Sequence, residues 1–289
     1  MTTSPLASPR ATRDLLEAYG LATKHRLGQN FLVDNHVIEK IMQLANLDPE
    51  DRVLEVGPGI GTLTLALLQE AAHVTSIEMD ETLRPVLESH AFENDGFSFI
   101  MGDALRVSPE QIAKESGGKP TILVANLPYN VAATIILQCF QEHPNLRAAV
   151  VMVQKEVADR IAAAPGTKAY GAYTAKLALY GQVTGRFEVP PRCFMPAPHV
   201  DSAVVRIDRR PAAGEGALAL PEGITRADVA RVIDAAFVQR RKTVRNSMSA
   251  AGLDKAALDA AFAACGIDPA VRGEALSPAD FVRLAAALA

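Results

Sequence analysis

Short apolar runs recur through the first two thirds of the chain, separated by segments of helix length. They fall at 52–56, 74–77, 97–101, 121–125 and 148–153. Strands this short, alternating with helical stretches such as 63–70 and the charged segment from Glu81, predict repeated βα units. Such units build a parallel sheet covered on both faces. Two later runs, 186–189 and 203–207, lie close together and predict an antiparallel pair at a sheet edge. Beyond the Gly/Pro-containing stretch 209–216 the pattern changes. Val229, Val232, Ile233 and Phe237 recur at helical spacing. Ser277 followed by Pro278 starts a last helix with an N-cap residue and a proline at the first helical position. The expected organisation is an α/β domain over 27–210 and a small all-helical domain over 211–289. A basic, partly flexible N-terminal segment over 1–26 precedes them.

Composition agrees with a folded, water-soluble chain: 49% of the 289 residues are hydrophobic and 21% charged. No apolar run reaches the length that spans a bilayer, and the N-terminus lacks the apolar stretch of a secretory signal. Cys139, Cys193 and Cys265 are far apart and form no C-x-x-C pair. A disulfide framework and a zinc ribbon are therefore not expected, and a cytoplasmic location is. The formal charge of −4 by itself argues against a nucleic-acid partner. Its distribution changes that reading. Residues 27–120 carry 6 basic and 16 acidic side chains, whereas residues 121–210 carry 10 and 6, and residues 1–26 carry 4 and 2.

The acidic segment also holds the first candidate chemistry. Glu55-Val-Gly57-Pro-Gly59-Ile-Gly61 ends the first strand and opens a helix. Glycines there let a backbone approach a ligand, and a helix start offers unpaired N–H groups. A dinucleotide fingerprint needs its third glycine at position 62, which is Thr62, and that disfavours a nicotinamide dehydrogenase. The acidic Glu55 fits a site that meets an amino-acid ammonium. Glu78 ends the second strand, 21 residues after Gly57, where a carboxylate can accept from ribose hydroxyls. Asp103, beside Ala104, follows the third strand and can accept from an adenine amine. Each carboxylate alone could be a solvated strand-end or turn residue; three at successive strand ends form a pattern.

Asn126-Leu127-Pro128-Tyr129 follows the fourth strand. An exocyclic adenine amine is a poor nucleophile because its lone pair is delocalised. The Asn126 side-chain oxygen and the Leu127 carbonyl can each accept one of its hydrogens and favour a pyramidal nitrogen. Tyr129 can stack on the base, worth about 1–3 kcal/mol. No strong general base is needed, since an alkylated nitrogen carries an acidic proton. Catalysis would rest on orientation and polar preorganisation. The densest basic run is Gln239-Arg240-Arg241-Lys242-Thr-Val-Arg245. It is either a solvated face or a phosphate-binding one. Arg10, Arg13, Lys24 and Arg26 can extend it. His25 and His199 lack partners at ligand spacing, so no metal is expected.

With these motifs assembled, the chain resembles the KsgA (RsmA) family of small-subunit ribosomal RNA adenine dimethyltransferases. The resemblance runs from about Thr12 to the C-terminus. Besides the motifs above it rests on Leu27-Gly-Gln-Asn-Phe-Leu32, Gln154-Lys-Glu-Val-Ala-Asp-Arg160, Phe194-Met-Pro-Ala-Pro-His-Val-Asp-Ser202 and Phe237-Val-Gln-Arg-Arg-Lys-Thr-Val-Arg-Asn246. It implies a Rossmann-like S-adenosylmethionine-dependent methyltransferase domain followed by a small helical domain. It implies methylation of N6 on two adjacent adenines near the 3′ end of 16S rRNA, four methyls in total, during small-subunit assembly. It places Asn30 and Leu32 at the cofactor's methionine end beside Gly57, and Glu78 at the ribose. It puts Asp103 at the adenine amine, Asn126 at the reacting centre, and Phe194 opposite Tyr129 around a flipped-out base. A monomer bound to the small ribosomal subunit, away from membranes, is the expected working form. One departure is Val131-Ala-Ala-Thr134, where the family commonly has Ser-Thr-Pro; it bears on the helix start after the catalytic loop. Two alternatives remain at this point: a large-subunit adenine methyltransferase of the macrolide-resistance type, and a mainly non-catalytic assembly checkpoint.

Overall fold

The computed structural model describes residues 2–22 and 29–289. Lys24, His25, Arg26, Leu27 and Gly28 lie outside the described residues. The chain divides into two compact units. One comprises residues 1–158 and 183–208, the other residues 159–182 and 209–289.

The first unit is built on a seven-stranded sheet. An N-terminal helix α1 (Pro9–Ala18), a two-residue strand β1 (Phe31–Leu32) and helix α2 (Asn35–Ala45) precede it. Then come β2 (Arg52–Val56), α3 (Thr64–Leu67), β3 (His73–Glu78), α4 (Arg84–Glu93), β4 (Phe97–Met101), α5 (Pro109–Glu115), β5 (Ile122–Asn126), α6 (Ala132–Glu142) and β6 (Ala148–Gln154). After α7 (Lys155–Ile161) and α8 (Ala172–Leu177) the chain returns through β7 (Gly181–Val189), β8 (Phe194–Met195) and β9 (Ser202–Arg209). The strand order is β4-β3-β2-β5-β6-β9-β7. The pairs β4–β3, β3–β2, β2–β5 and β5–β6 are parallel, and β9 runs antiparallel to β6. The expected strands are all present, and the two late runs form the sheet edge. The expected helix over 63–70 is shorter, a single turn at Thr64–Leu67.

The apolar continuity of the central strands is explained by burial on both faces. Ile38, Ile41 and Met42 of α2 join Val124, Val150, Met152 and Val204 of the sheet in one core, with Leu63, Ala66 and Leu67. The order reverses between β2 and β5. Chain growth runs outward through β3 and β4, then restarts on the other side. A crevice forms at such a switch point, outside the carboxyl ends of the strands.

The N-terminal segment, expected to be partly flexible, is packed over residues 2–22. Ser4 donates its backbone N–H to Asn35 Oδ1 at 2.7 Å, and Asn35 Nδ2 returns a bond to the Ser4 carbonyl at 3.1 Å. Leu6 and Leu16 are buried in a cluster with Phe31, Ile60, Leu83 and Val86. Ser8 caps α1 by accepting from Ala11 N.

The second unit takes residues 159–182, which lie inside the expected α/β domain of 27–210. The reason is packing: Tyr170, Ala175 and Leu179 are buried with Val229, Ile233, Met248, Phe262 and Phe281. Its helices are α8, α9 (Arg226–Phe237), α10 (Val244–Ala250), α11 (Lys255–Cys265) and α12 (Pro278–Ala287). Thr225–Asp228 and Ser277–Asp280 form reciprocal capping boxes at α9 and α12. Phe237 sits between Tyr170 and Phe281, with centroids 6.3 and 6.2 Å away. Among the described residues no helix is long and apolar enough to cross a membrane. Cys139, Cys193 and Cys265 are free.

Candidate active site

A cavity of about 230 Å³ opens at the carboxyl ends of β2, β3 and β5, beside the switch point. Its walls include Asn30, Leu32, Glu55, Gly57, Gly59, Glu78, Asp103, Asn126, Leu127, Pro128 and Tyr129, so most of the sequence-selected residues converge there.

The loop after β2 needs its glycines for backbone reasons. Gly57, Gly59 and Gly61 have φ of +73°, +60° and +85°, a left-handed region costly for other residues. A side chain at Gly59 would also meet Phe31 Cε1 at 3.1 Å. Gly61, selected as a cofactor contact, is not in the cavity wall. A Cβ there would lie 2.7 Å from Cδ2 of His90, so its space is taken by the imidazole.

The carboxylates are held differently. Glu55 is 1% exposed, and Oε2 accepts from both Thr64 Oγ1 and Ser76 Oγ at 2.7 Å. Burial pushes its carboxyl up to about 7 against the pull of those hydroxyls. Glu78 closes β3, where burial also raises its carboxyl. Its oxygens accept from Gly59 N at 3.2 Å and Asp80 N at 2.9 Å, tying the glycine loop to the strand end. Asp103 accepts from Leu105 N at 3.0 Å and stands 3.6 Å from Arg106 Nε, facing solvent more than the other two. Ala104 is not in this wall; it lines a small apolar gap with Leu54, Ile77 and Cys139.

Asn126 ends β5, paired in register with Met152 of β6. Its Nδ2 donates to the Asn30 carbonyl at 3.4 Å, which turns Oδ1 to the other side of the amide. Leu127 N bonds Met152 O at 3.1 Å and its side chain is buried, so the peptide after Asn126 is fixed by the sheet. Tyr129 OH shares a 2.7 Å hydrogen bond with Ser202 Oγ. Burial raises the phenol's pKa, keeping it protonated. Phe194 is 4% exposed, pairs with Leu32 across β1–β8, and belongs to the core, not the cavity wall.

Sequence reasoning missed the apolar part of the wall: Phe31, Met79, Leu83 and Leu105. Met79 is 59% exposed immediately after Glu78. An apolar side chain directly after a strand-end carboxylate was the available signal.

The basic run lies in the turn between α9 and α10 and at the start of α10. Arg240 donates to the carbonyls of Lys168 and Tyr170 and pairs with Glu274 at 3.5 Å. Arg245 grips Asp259 with both Nε and Nη2. Arg241 and Lys242 are exposed, and no ion pair is formed by either among the described residues. No cluster of His, Cys, Asp or Glu suited to a metal is found among the described residues.

These features agree with the comparisons to known proteins. A family model for ribosomal RNA adenine dimethylase matches residues 20–289. The ribosomal RNA small subunit methyltransferase A of Kineococcus radiotolerans is 43% identical over 98% of this chain and 92% of its own. That of Thermobifida fusca is 41% identical over 97% and 95%. Among solved structures, a dimethyladenosine transferase from Plasmodium falciparum has a TM-score of 0.71 at 24% identity, covering 88% of this chain and 95% of its own; it supports the fold. The 23S rRNA methyltransferase ErmE has a TM-score of 0.65 at 27% identity, covering 90% and 99%. Sequence motifs, sheet topology and the position of the cavity lead to one assignment: the chain belongs to the ribosomal RNA adenine dimethylase family.

Proposed function

We propose that this chain transfers methyl groups from S-adenosylmethionine to N6 of two adjacent adenines near the 3′ end of 16S rRNA, two per nitrogen, during small-subunit assembly. Identity of 41–43% over nearly the full length to small-subunit methyltransferases supports this target over the large-subunit one. The observation that carries the chemistry is Asn126, whose NH₂ is engaged by Asn30 while its oxygen is left for an incoming amine.

The cavity suits the proposed cofactor on its own chemistry. Three carboxylates at successive strand ends match a cationic amino acid, a ribose diol and an adenine amine. Met79, Leu83 and Leu105 offer apolar surface for a planar ring. In this reading Asn30, Leu32, Glu55, Gly57 and Gly59 hold the amino-acid end, Glu78 the ribose, and Asp103 with Leu105 the adenine. S-adenosylmethionine, when bound, supplies an electrophilic sulfonium methyl.

The chain's own groups do the rest. Asn126 Oδ1 and the Leu127 carbonyl accept the two N–H hydrogens and aim the nitrogen lone pair. Tyr129, anchored through Ser202, stacks on the base, and Pro128 stiffens the loop between them. Phe194 supports Leu32 from its paired strand. Once the nitrogen is alkylated its proton leaves to water, so no side-chain base is required. The target adenine must be unstacked to enter. Arg241 and Lys242 are free to meet phosphates, with Arg240 and Arg245 holding the turn that presents them. We take the working form to be a monomer on the small subunit.

The test is transfer of labelled methyl to purified small subunits that lack the modification, followed by mapping of the modified bases. Label on naked large-subunit RNA, with none on small subunits, would move the assignment to the ErmE-like reaction.

A further inference from the structure

His90 has no place in the chemistry above, yet it is in direct contact with the glycine loop. It sits in the last turn of α4 and is buried. Its Nε2 lies 3.0 Å from the Ile60 carbonyl. A carbonyl oxygen only accepts, so Nε2 carries the hydrogen and donates. The ring edge then fills the space above Gly61, where a Cβ would stand 2.7 Å from Cδ2 and 2.8 Å from Nε2. The carbonyl of the last turn at His90 is itself held by Asn94 Nδ2 at 2.9 Å. Ile60 is fully buried, so its carbonyl would otherwise be an unpaired acceptor away from water.

The loop has few other restraints. Gly57 N bonds Ile77 O at 2.9 Å, Gly61 N bonds Pro58 O at 2.9 Å, and Gly59 N bonds Glu78 Oε2 at 3.2 Å. Three left-handed glycines in five residues leave each peptide plane able to turn at little steric cost. The hydrogen bond from His90 fixes the plane between Ile60 and Gly61. One peptide separates that plane from the Gly59 N–H that is tied to Glu78.

We propose that His90 is a positioning residue of the cofactor site. It clamps the glycine loop through Ile60, and Gly61, a glycine already for its left-handed backbone, also leaves room for the imidazole and not for the ligand. The inference rests on the cavity being the S-adenosylmethionine site.

The test is calorimetric binding of S-adenosylmethionine to the full chain, with steady-state methylation of small subunits and thermal unfolding alongside. Removing the donor leaves a buried acceptor unpaired, so His90→Ala should weaken cofactor binding about tenfold. KM for the cofactor should rise by a similar factor while kcat falls less. His90→Leu, which fills the space without a donor, should weaken binding too. His90→Gln, whose amide can reach the same carbonyl, should recover part of the affinity. Gly61→Ala should be costly in the parent chain and less costly in the His90→Ala background, because the ring it meets is gone. A His90→Ala or His90→Leu chain that melts earlier but binds cofactor within about twofold of the parent overturns the clamp; the twofold band is about 0.4 kcal/mol. Additive costs for Gly61→Ala and His90→Ala overturn the account of Gly61. A parent chain that binds no S-adenosylmethionine overturns the cofactor reading itself, and the clamp's role with it.

Discussion

Glu55 combines full burial, two hydroxyl donors on one oxygen and a place in the cavity wall. Its carboxyl is raised from 4.5 to about 7 by burial. Between those values the folded chain holds a proton that the unfolded chain has released. Stability should therefore fall as pH rises through this window and stay reduced above about 7. The full effect is on the order of 3 kcal/mol, from the size of the shift. Unfolding midpoints at pH 5 and pH 8 test it: Glu55→Gln should shrink the difference seen in the parent chain, and an unchanged difference would count against the assignment. Asn126 is a residue whose loss should act on the chemistry of the site far more than on stability. Its side chain is partly exposed and makes one long hydrogen bond, so little stability depends on it. Asn126→Ala should abolish methyl transfer while the protein still binds small subunits. Loss of binding in parallel, measured by co-sedimentation, would show that recognition and chemistry are not separable here.

Among the elements, α6 carries an unfilled opportunity. It starts at Ala132, its N-cap is Val131, and no side chain bonds the first-turn N–H groups. The helix forms despite the missing Ser-Thr-Pro because its apolar face buries Ile135, Ile136, Cys139 and Phe140. Val131→Ser should add part of a cap, about 0.5 kcal/mol, because Val131 has ψ −2° and not the extended backbone of a full capping residue. A small rise in the unfolding midpoint would register it by scanning calorimetry. Strands were the most legible elements: 97–101 and 52–56 coincide with β4 and β2, since short apolar runs between helix-length segments have few other uses. The helix expected over 63–70 is only Thr64–Leu67, although Leu65 and Leu68 suggest continuation. The short ribbon β1–β8 could not be read, because its two-residue strands pair across more than 160 positions.

At the scale of the molecule, charge is sorted by task. The acidic excess between 27 and 120 includes all three cavity carboxylates, and the basic run belongs to the second unit. Composition showed four cations in that run as equals, and the structure divides them. Arg240 and Arg245 are spent on Glu274 and Asp259, whereas Arg241 and Lys242 face solvent. Replacing Arg241 and Lys242 by Ala should weaken binding to small subunits without lowering the unfolding midpoint. It should also flatten the dependence of log affinity on log salt by about one unit per lost phosphate contact. Replacing Arg245 should instead cost stability. Equal effects of the two changes on both readouts would remove the distinction.

The sequence by itself determined the βα repetition, the glycine loop, the strand-end carboxylates and the Asn126–Tyr129 motif. These are local: each follows from residue types at fixed spacing along one segment. Tertiary structure decided what depends on partners distant in sequence. It packed residues 159–182 with the C-terminal helices, because the apolar positions around Tyr170 and Leu179 do not announce which core they enter. It packed residues 2–22 into the first unit through Asn35 and the Ile60 cluster. It placed Phe194 in the core and Met79 in the cavity wall. It also gave Gly61 to His90, twenty-nine residues away, because a contact between a loop and a helix exists only once both have folded onto the same strand ends.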